Sequence, residues 1–253
     1  LVPDSRQLAV FGNGNIHKSA QLPIFHRMSW YTQLPCSGLW YFDPSLYLGE
    51  ARLCWGYGTA QRWYLAAIAQ ILKKITVLLG IEGNDLVFYG SSGGGFMSLI
   101  LACLLRGKAD VLNPQFFPLS YHPHLVQAME DTCLGEGEQL DEARLNPVEL
   151  FRREGFVPYI HCTQNSSAED DIYGQLLPFL DALKKAFPRE SHLVEVSWFY
   201  AEKGHNSWPA PSTCIQGIRN TLGHRDSRLG GGAGEPAAAP AFTADCTAQG
   251  DTL

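Results

Sequence analysis

The chain has 253 residues, 45% of them hydrophobic and only 17% charged, enough apolar material for one domain with a substantial core. A formal net charge of −6 with no basic run argues against nucleic acid as a partner, because neutralising phosphates takes clustered Lys and Arg. No stretch reaches the roughly 18 consecutive apolar residues that span a bilayer.

The start, "LVPDSRQLAVF", shows no signal-peptide pattern, so a cytoplasmic location is expected; without an initiator Met, a trimmed targeting segment stays open. Seven cysteines are odd in number and scattered, with neither C-x-x-C spacing nor a disulfide-dense frame. They read as buried free thiols in a reducing compartment.

Short apolar runs alternate with longer helical patterns, the signature of a three-layer α/β fold: a mostly parallel sheet with helices on both faces. "LAVF" (8–11) reads as a strand followed by the loop "GNGN", and "LWYF" (39–42) as a second strand. From Ala60 to Leu79, apolar residues recur at Trp63, Ala67, Ile68, Ile71, Leu72, Ile75 and Leu79, one stripe of a helix. "LVFY" (86–89) is a continuous apolar run, as a central strand buried on both faces requires. "GFMSLILACLL" (95–105) reads as a buried helix and "ADVLN" (109–113) as the next strand. Residues 116–150 are irregular and could form a small lid. "VPYIHCT" (157–163), a helix from Ile172 to Phe187, the strand "LVEVSWFY" (193–200) and a short helix near 212–222 complete a domain over 1–222. Residues 223–253, rich in Gly, Ala and Pro, are expected to be a flexible tail.

The chemistry lies in "VFYGSSGGGFM" (87–97). A phosphate cradle is disfavoured: the run lacks the G-K-[ST] ending of a P-loop, and Ser92 occupies the second glycine position of G-x-G-x-x-G. Gly90, Ser92 and Gly94 instead match G-x-S-x-G between a buried strand and a helix. That turn strains its central residue, so the residues two positions away must lack side chains. Ser92 is therefore the nucleophile, Ser91 is out of register, and the N–H of Gly93 faces the developing oxyanion.

Such a serine needs a histidine base oriented by a carboxylate, in the chain order Ser, acid, His. His205, in "EKGHNSW" after the last strand, is the base. "TQNSSAEDDIYG" after the preceding strand supplies the acid, with Asp170 preferred and Asp171 the alternative. The loop "FGNGN" offers the backbone N–H of Asn13 or Gly14 as the second oxyanion donor. His161, inside a strand, reads as a core histidine. Trp30, Trp55, Tyr57, Trp63, Tyr121 and Trp208 are candidates for the pocket wall. No metal motif and no cofactor motif competes with this assignment.

With these residues in place, the chain resembles the α/β-hydrolase superfamily over roughly residues 7–222. "YGSSGGGFMSLILACLLRGKADVLNPQ", "LPIFHRMSW", "FDPSL" and the "QN…D" segment before "LLPFL" are similar to a bacterial, largely actinobacterial group linked to surface-glycan and glycosyltransferase systems. The resemblance implies a serine acyl-hydrolase fold with Ser92 and His205 in the motif positions. It also implies that Asn113 and Gln115, at a strand end reading N-P-Q, lie near the substrate site. The expected activity is hydrolysis of a carboxylic ester, on a small molecule or an acylated glycan, through a Ser-His-Asp triad and an acyl-enzyme. Acyl transfer to a glycan hydroxyl, or a non-catalytic accessory role, are the alternatives.

Overall fold

A computed structural model describes residues 1–2 and 5–229. Six parallel strands form one sheet in the order β2-β1-β3-β4-β5-β6: β1 (Leu8–Phe11), β2 (Ser37–Trp40), β3 (Leu86–Ser91), β4 (Lys108–Leu112), β5 (Ile160–Asn165) and β6 (Val194–Phe199). Each expected strand is present, displaced by up to three residues at its ends. Strand order reverses between β1 and β3, so a crevice opens beyond the carboxyl ends of those two strands.

Alternate residues of each central strand feed opposite faces. On one face Leu8, Val10 and Phe88 pack under α1 (Tyr64–Leu79), α2 (Gly93–Leu104), α3 (Pro123–Cys133), α4 (Pro147–Glu154) and α6 (Leu177–Ala186). On the other, Ala9, Phe11, Val87 and Tyr89 meet Cys214, Ile218 and Leu222 of α7 (Pro211–Gly223). α2 is buried along almost its whole length, as its uninterrupted apolar sequence requires. α5 (Glu169–Asp171) leads through a π turn at Ile172–Leu176 into α6, so one helical stretch follows β5.

The domain extends past the boundary expected at residue 222. The fully buried Lys108 donates from Nζ to the carbonyls of Leu222 (3.0 Å) and His224 (2.8 Å), capping the C-terminus of α7. Asp226 N–H donates to Asn84 Oδ1 at 2.9 Å, and the Arg228 guanidinium lies over Phe156. The rest of the expected tail, 230–253, lies outside the described residues. The possible lid, 116–150, carries α3 and the start of α4 and packs its Phe116, Met129 and Leu145 into the core.

His161 is half-buried in β5, with Nδ1 3.3 Å from Asp110 Oδ2 and Nε2 2.9 Å from Ser197 Oγ. Asp110 is buried and also accepts from Thr221 Oγ1 of α7 at 3.0 Å. The hydrogen bond to Asp110 raises the His161 pKa above its ordinary value, and burial raises that of Asp110. For the raised His161 the sign is plain: its proton stabilises the fold below the unfolded histidine pKa, and that contribution is lost as pH climbs through the raised folded value. Thermal denaturation should therefore show the wild type losing more Tm than His161→Gln between about pH 6 and about pH 8. Parallel curves would contradict the pairing.

Candidate active site

The turn between β3 and α2 holds Ser92 at φ 55°, ψ −129°, a conformation rare for a residue with a side chain. The flanking glycines make it possible. A Cβ on Gly90 would sit 2.2 Å from the carbonyl oxygen of Gly94, and one on Gly94 would sit 3.0 Å from that of Asn13. Ser92 N–H donates to Leu112 O at 3.0 Å and Ser92 O accepts from Gln115 N–H at 3.2 Å, so β4 and the segment after it clamp the turn.

Ser92 Oγ lies 2.9 Å from His205 Nε2, and His205 Nδ1 lies 2.7 Å from Asp171 Oδ2. The acid that reaches the imidazole is thus Asp171, which is buried, and not the preferred Asp170, which is exposed on α5. The helix face decides. Asp171 turns inward with the buried Gln175 and Leu176 of the following π turn, whereas Asp170 faces outward.

His205 sits on a short turn, Gly204–Asn206, that two buried asparagines hold in place. Asn165 Nδ2 donates to the carbonyls of Ala201 and Gly204, both at 2.8 Å, and its Oδ1 accepts from Ala201 N–H at 3.0 Å. Asn113 Nδ2 donates to Ser207 O at 3.1 Å, and its Oδ1 accepts from Asn165 N–H at 2.8 Å. Asn113, expected near the substrate, borders the cavity but spends its amide on this brace. Asn165 was not singled out from the sequence; its place in the quoted "QN" at a strand end is the available signal.

Gln115 is buried beside the serine, its Nε2 donating to Ser92 Oγ at 2.9 Å. The indole of Trp55 fixes the amide by donating to Gln115 Oε1 at 2.6 Å. Trp55 and Tyr57 are therefore core residues and not pocket wall, and Trp63 packs against the core. A side chain at Gly93 would strike Leu53 at 2.4 Å and the Trp55–Gln115 pair at 3.2 and 3.3 Å. Gly93 opens α2, where N–H groups have no intrahelical acceptor.

Of the two loop donors, Gly14 lies beside the serine, where a Cβ on it would stand 3.9 Å from Ser92 Cβ, but its N–H donates to His26 Nδ1 at 3.3 Å. The Asn13 side chain accepts from Asp43 N–H at 2.8 Å, a contact that does not involve the Asn13 N–H. Asp43, from "FDPSL", receives the N–H groups of Ser45 and Gly56 at 2.9 and 2.8 Å and so organises the loop that delivers Trp55.

These groups open on a cavity of about 670 Å³ at the carboxyl edge of the sheet, bordered by Trp30, Tyr121, Leu125 and the exposed Trp208. Among the described residues no three His, Cys, Asp or Glu side chains cluster as a metal site needs, and no helix is long and apolar enough to cross a membrane.

No protein-family profile and no curated protein sequence matches the chain. Solved structures do. The capsule O-acetyltransferase of Neisseria meningitidis serogroup A superposes with a TM-score of 0.64 at 16% identity over 86% of this chain and 87% of that one. The chain has the α/β-hydrolase fold. An S-formylglutathione hydrolase from Agrobacterium tumefaciens matches with a TM-score of 0.56 at 12% identity, covering 88% of this chain and 84% of that one. The glycosylation-associated Gap123 complex of Streptococcus agalactiae matches at 0.57 and 14%, over 88% of this chain and 43% of that one. The α/β-hydrolase neighbours thus include esterases and an acetyltransferase.

Gly90→Ala tests the steric basis of the turn. Replacing glycine by alanine normally stabilises by about 0.4–1 kcal/mol through the unfolded chain. Here the contact with the Gly94 carbonyl should win, with a net loss of roughly 1–3 kcal/mol in denaturant unfolding. Unchanged or increased stability would contradict the geometry.

Proposed function

We propose that the protein is a serine-dependent acyl-ester enzyme that hydrolyses carboxylic esters through an acyl-enzyme on Ser92. The unbroken line from Asp171 through His205 to Ser92, with contacts of 2.7 and 2.9 Å, carries this reading. His205 Nε2 accepts the hydroxyl proton as Oγ bonds to the ester carbonyl carbon. Asp171 fixes the imidazole with Nδ1–H donating to it and stabilises the imidazolium that forms. The carbonyl oxygen, now carrying the electron pair, takes the N–H of Gly93 and the side-chain amide of Gln115, which already stands at hydrogen-bond distance from Oγ. Collapse of the tetrahedral adduct breaks the bond to the alcohol oxygen, which leaves with the proton from His205. Water then repeats the sequence on the acyl-enzyme, releasing the acid and free Ser92.

The same acyl-enzyme passes its acyl group to a hydroxyl in place of water if such an acceptor occupies the cleft. The structural likeness to a capsule O-acetyltransferase favours a glycan hydroxyl as that acceptor. A catalytically dead accessory protein is disfavoured, since base, acid and nucleophile are all present and in contact.

A serine-directed fluorophosphonate should label the wild type and Ser91→Ala but not Ser92→Ala. With p-nitrophenyl acetate, Asp171→Asn should lower kcat on the order of 10³–10⁴-fold, whereas Asp170→Asn should stay within about twofold of wild type, as surface changes do. Labelling that survives Ser92→Ala, or equal effects of the two aspartate variants, would overturn the assignment.

A further inference from the structure

The segment before the first wall of the cavity carries a feature that ester chemistry alone does not require. Arg27 adopts φ 61°, ψ 17°, a left-handed conformation that costs an L-residue free energy unless its surroundings hold it there. What that conformation achieves is the delivery of a guanidinium into the catalytic cavity. Arg27 Nη2 donates to Ser91 Oγ at 2.7 Å, and the group lies over the rings of Trp30 (5.5 Å) and Tyr89 (5.3 Å). One of five N–H donors is thereby used, and the planar group is clamped by aromatic faces. Among the described residues no carboxylate pairs with it.

Of the described residues, Arg27 is the one Lys or Arg in the cavity lining, which includes no Asp or Glu, although the protein carries a formal net charge of −6. A half-buried, oriented guanidinium with free donors, in a cleft without acids, matches a carboxylate or phosphate oxygen pair. Arg27, Ser91 and Ser92 line the same cavity, so an anion held on Arg27 shares it with the carbonyl that Ser92 attacks.

We propose that Arg27 is the specificity-determining residue of this cleft, and that it selects esters bearing a carboxylate or phosphate group beside the ester bond. The proposal rests on the acyl-ester reading of Ser92 but names the substrate class that reading leaves open. The anion can belong to the acyl part or to the alcohol part, and matched pairs of esters separate the two. The half-ester of glutarate with p-nitrophenol against its methyl ester places the charge on the acyl side. The anion p-acetoxybenzoate against its methyl ester places it on the alcohol side.

Steady-state kinetics on both pairs should show the wild type favouring the anionic member of one pair about tenfold or more in kcat/KM. Arg27→Ala should collapse that preference about tenfold to a hundredfold, mainly through KM, and Arg27→Lys should keep part of it. A preference unchanged in Arg27→Ala overturns the proposal. So does a variant in which both members of each pair fall together, because a guanidinium that merely buttresses the Ser91 turn would act that way.

A second readout needs no turnover. Titration of Ser92→Ala with glutarate and with p-hydroxybenzoate, followed by tryptophan fluorescence from the cavity, should give binding weakened at least tenfold by adding Arg27→Ala. Binding indifferent to Arg27 counts against the proposal even in an active enzyme. Binding that depends on Arg27 in a protein that no fluorophosphonate labels would leave the anion site standing and remove the ester reading alone.

Discussion

Ser92 is held in a backbone conformation that its own side chain disfavours, and the rest of the site follows from that constraint. At φ 55° the serine cannot continue β3 or join the regular geometry of α2, so the chain must reverse sharply at one residue. Reversal at so small a radius brings Gly90 against the Gly94 carbonyl, where no Cβ fits, and Gly94 against Asn13, where one would be crowded. Strain of this kind costs on the order of 1–3 kcal/mol, and it persists because β4 clamps the turn through Leu112 and Gln115. The benefit is positional: Oγ stands above the sheet edge with the first, unpaired N–H groups of a helix beside it.

Around that point the molecule spends buried polar groups on positioning. Asn113 and Asn165 bind each other and together grip the loop that presents His205. Asp43 ties Asn13 on one side to the Trp55 loop on the other, and Trp55 in turn sets the amide of Gln115 against Ser92 Oγ. Each group is satisfied by a partner of the protein itself, so the framework around the serine is rigid before any ligand arrives. Preorganisation of this kind is what electrostatic catalysis requires, because donors already aimed at developing charge need not reorganise during the reaction.

Much of this was legible in the sequence because it is local. The strands are short apolar runs between turn residues, and the G-x-S-x-G register follows from steric demand on two named glycines. The choice between Asp170 and Asp171 depended on which face of a helix turns inward, and the adjacent acids gave composition without phase. The π turn at Ile172–Leu176 shifts the helical phase between the apolar stripe of α6 and the two acids, so counting back from Phe179 does not settle the choice. Trp55 and Tyr57 looked like wall because aromatics suit both a cleft and a core; only the loop organised by Asp43 shows that they face inward. Arg27 sits in an irregular segment with no periodicity to read, and its meaning depends on a contact with Ser91, 64 positions away. Residues 223–229 carry few large apolar side chains, yet they are anchored by the buried Lys108 on the His224 carbonyl and by the Asp226 N–H on Asn84, contacts that composition does not reveal.

The central claim is that Ser92 forms an acyl-enzyme under the control of the His205–Asp171 pair. Acid-quenched reaction of the protein with p-nitrophenyl acetate, followed by intact mass and peptide mapping, tests it most directly. The account predicts one acetyl group per chain, confined to the peptide that contains Ser92, absent in Ser92→Ala and strongly slowed in His205→Ala. An acetyl group that maps to another residue, or that forms at the same rate without His205, would contradict it.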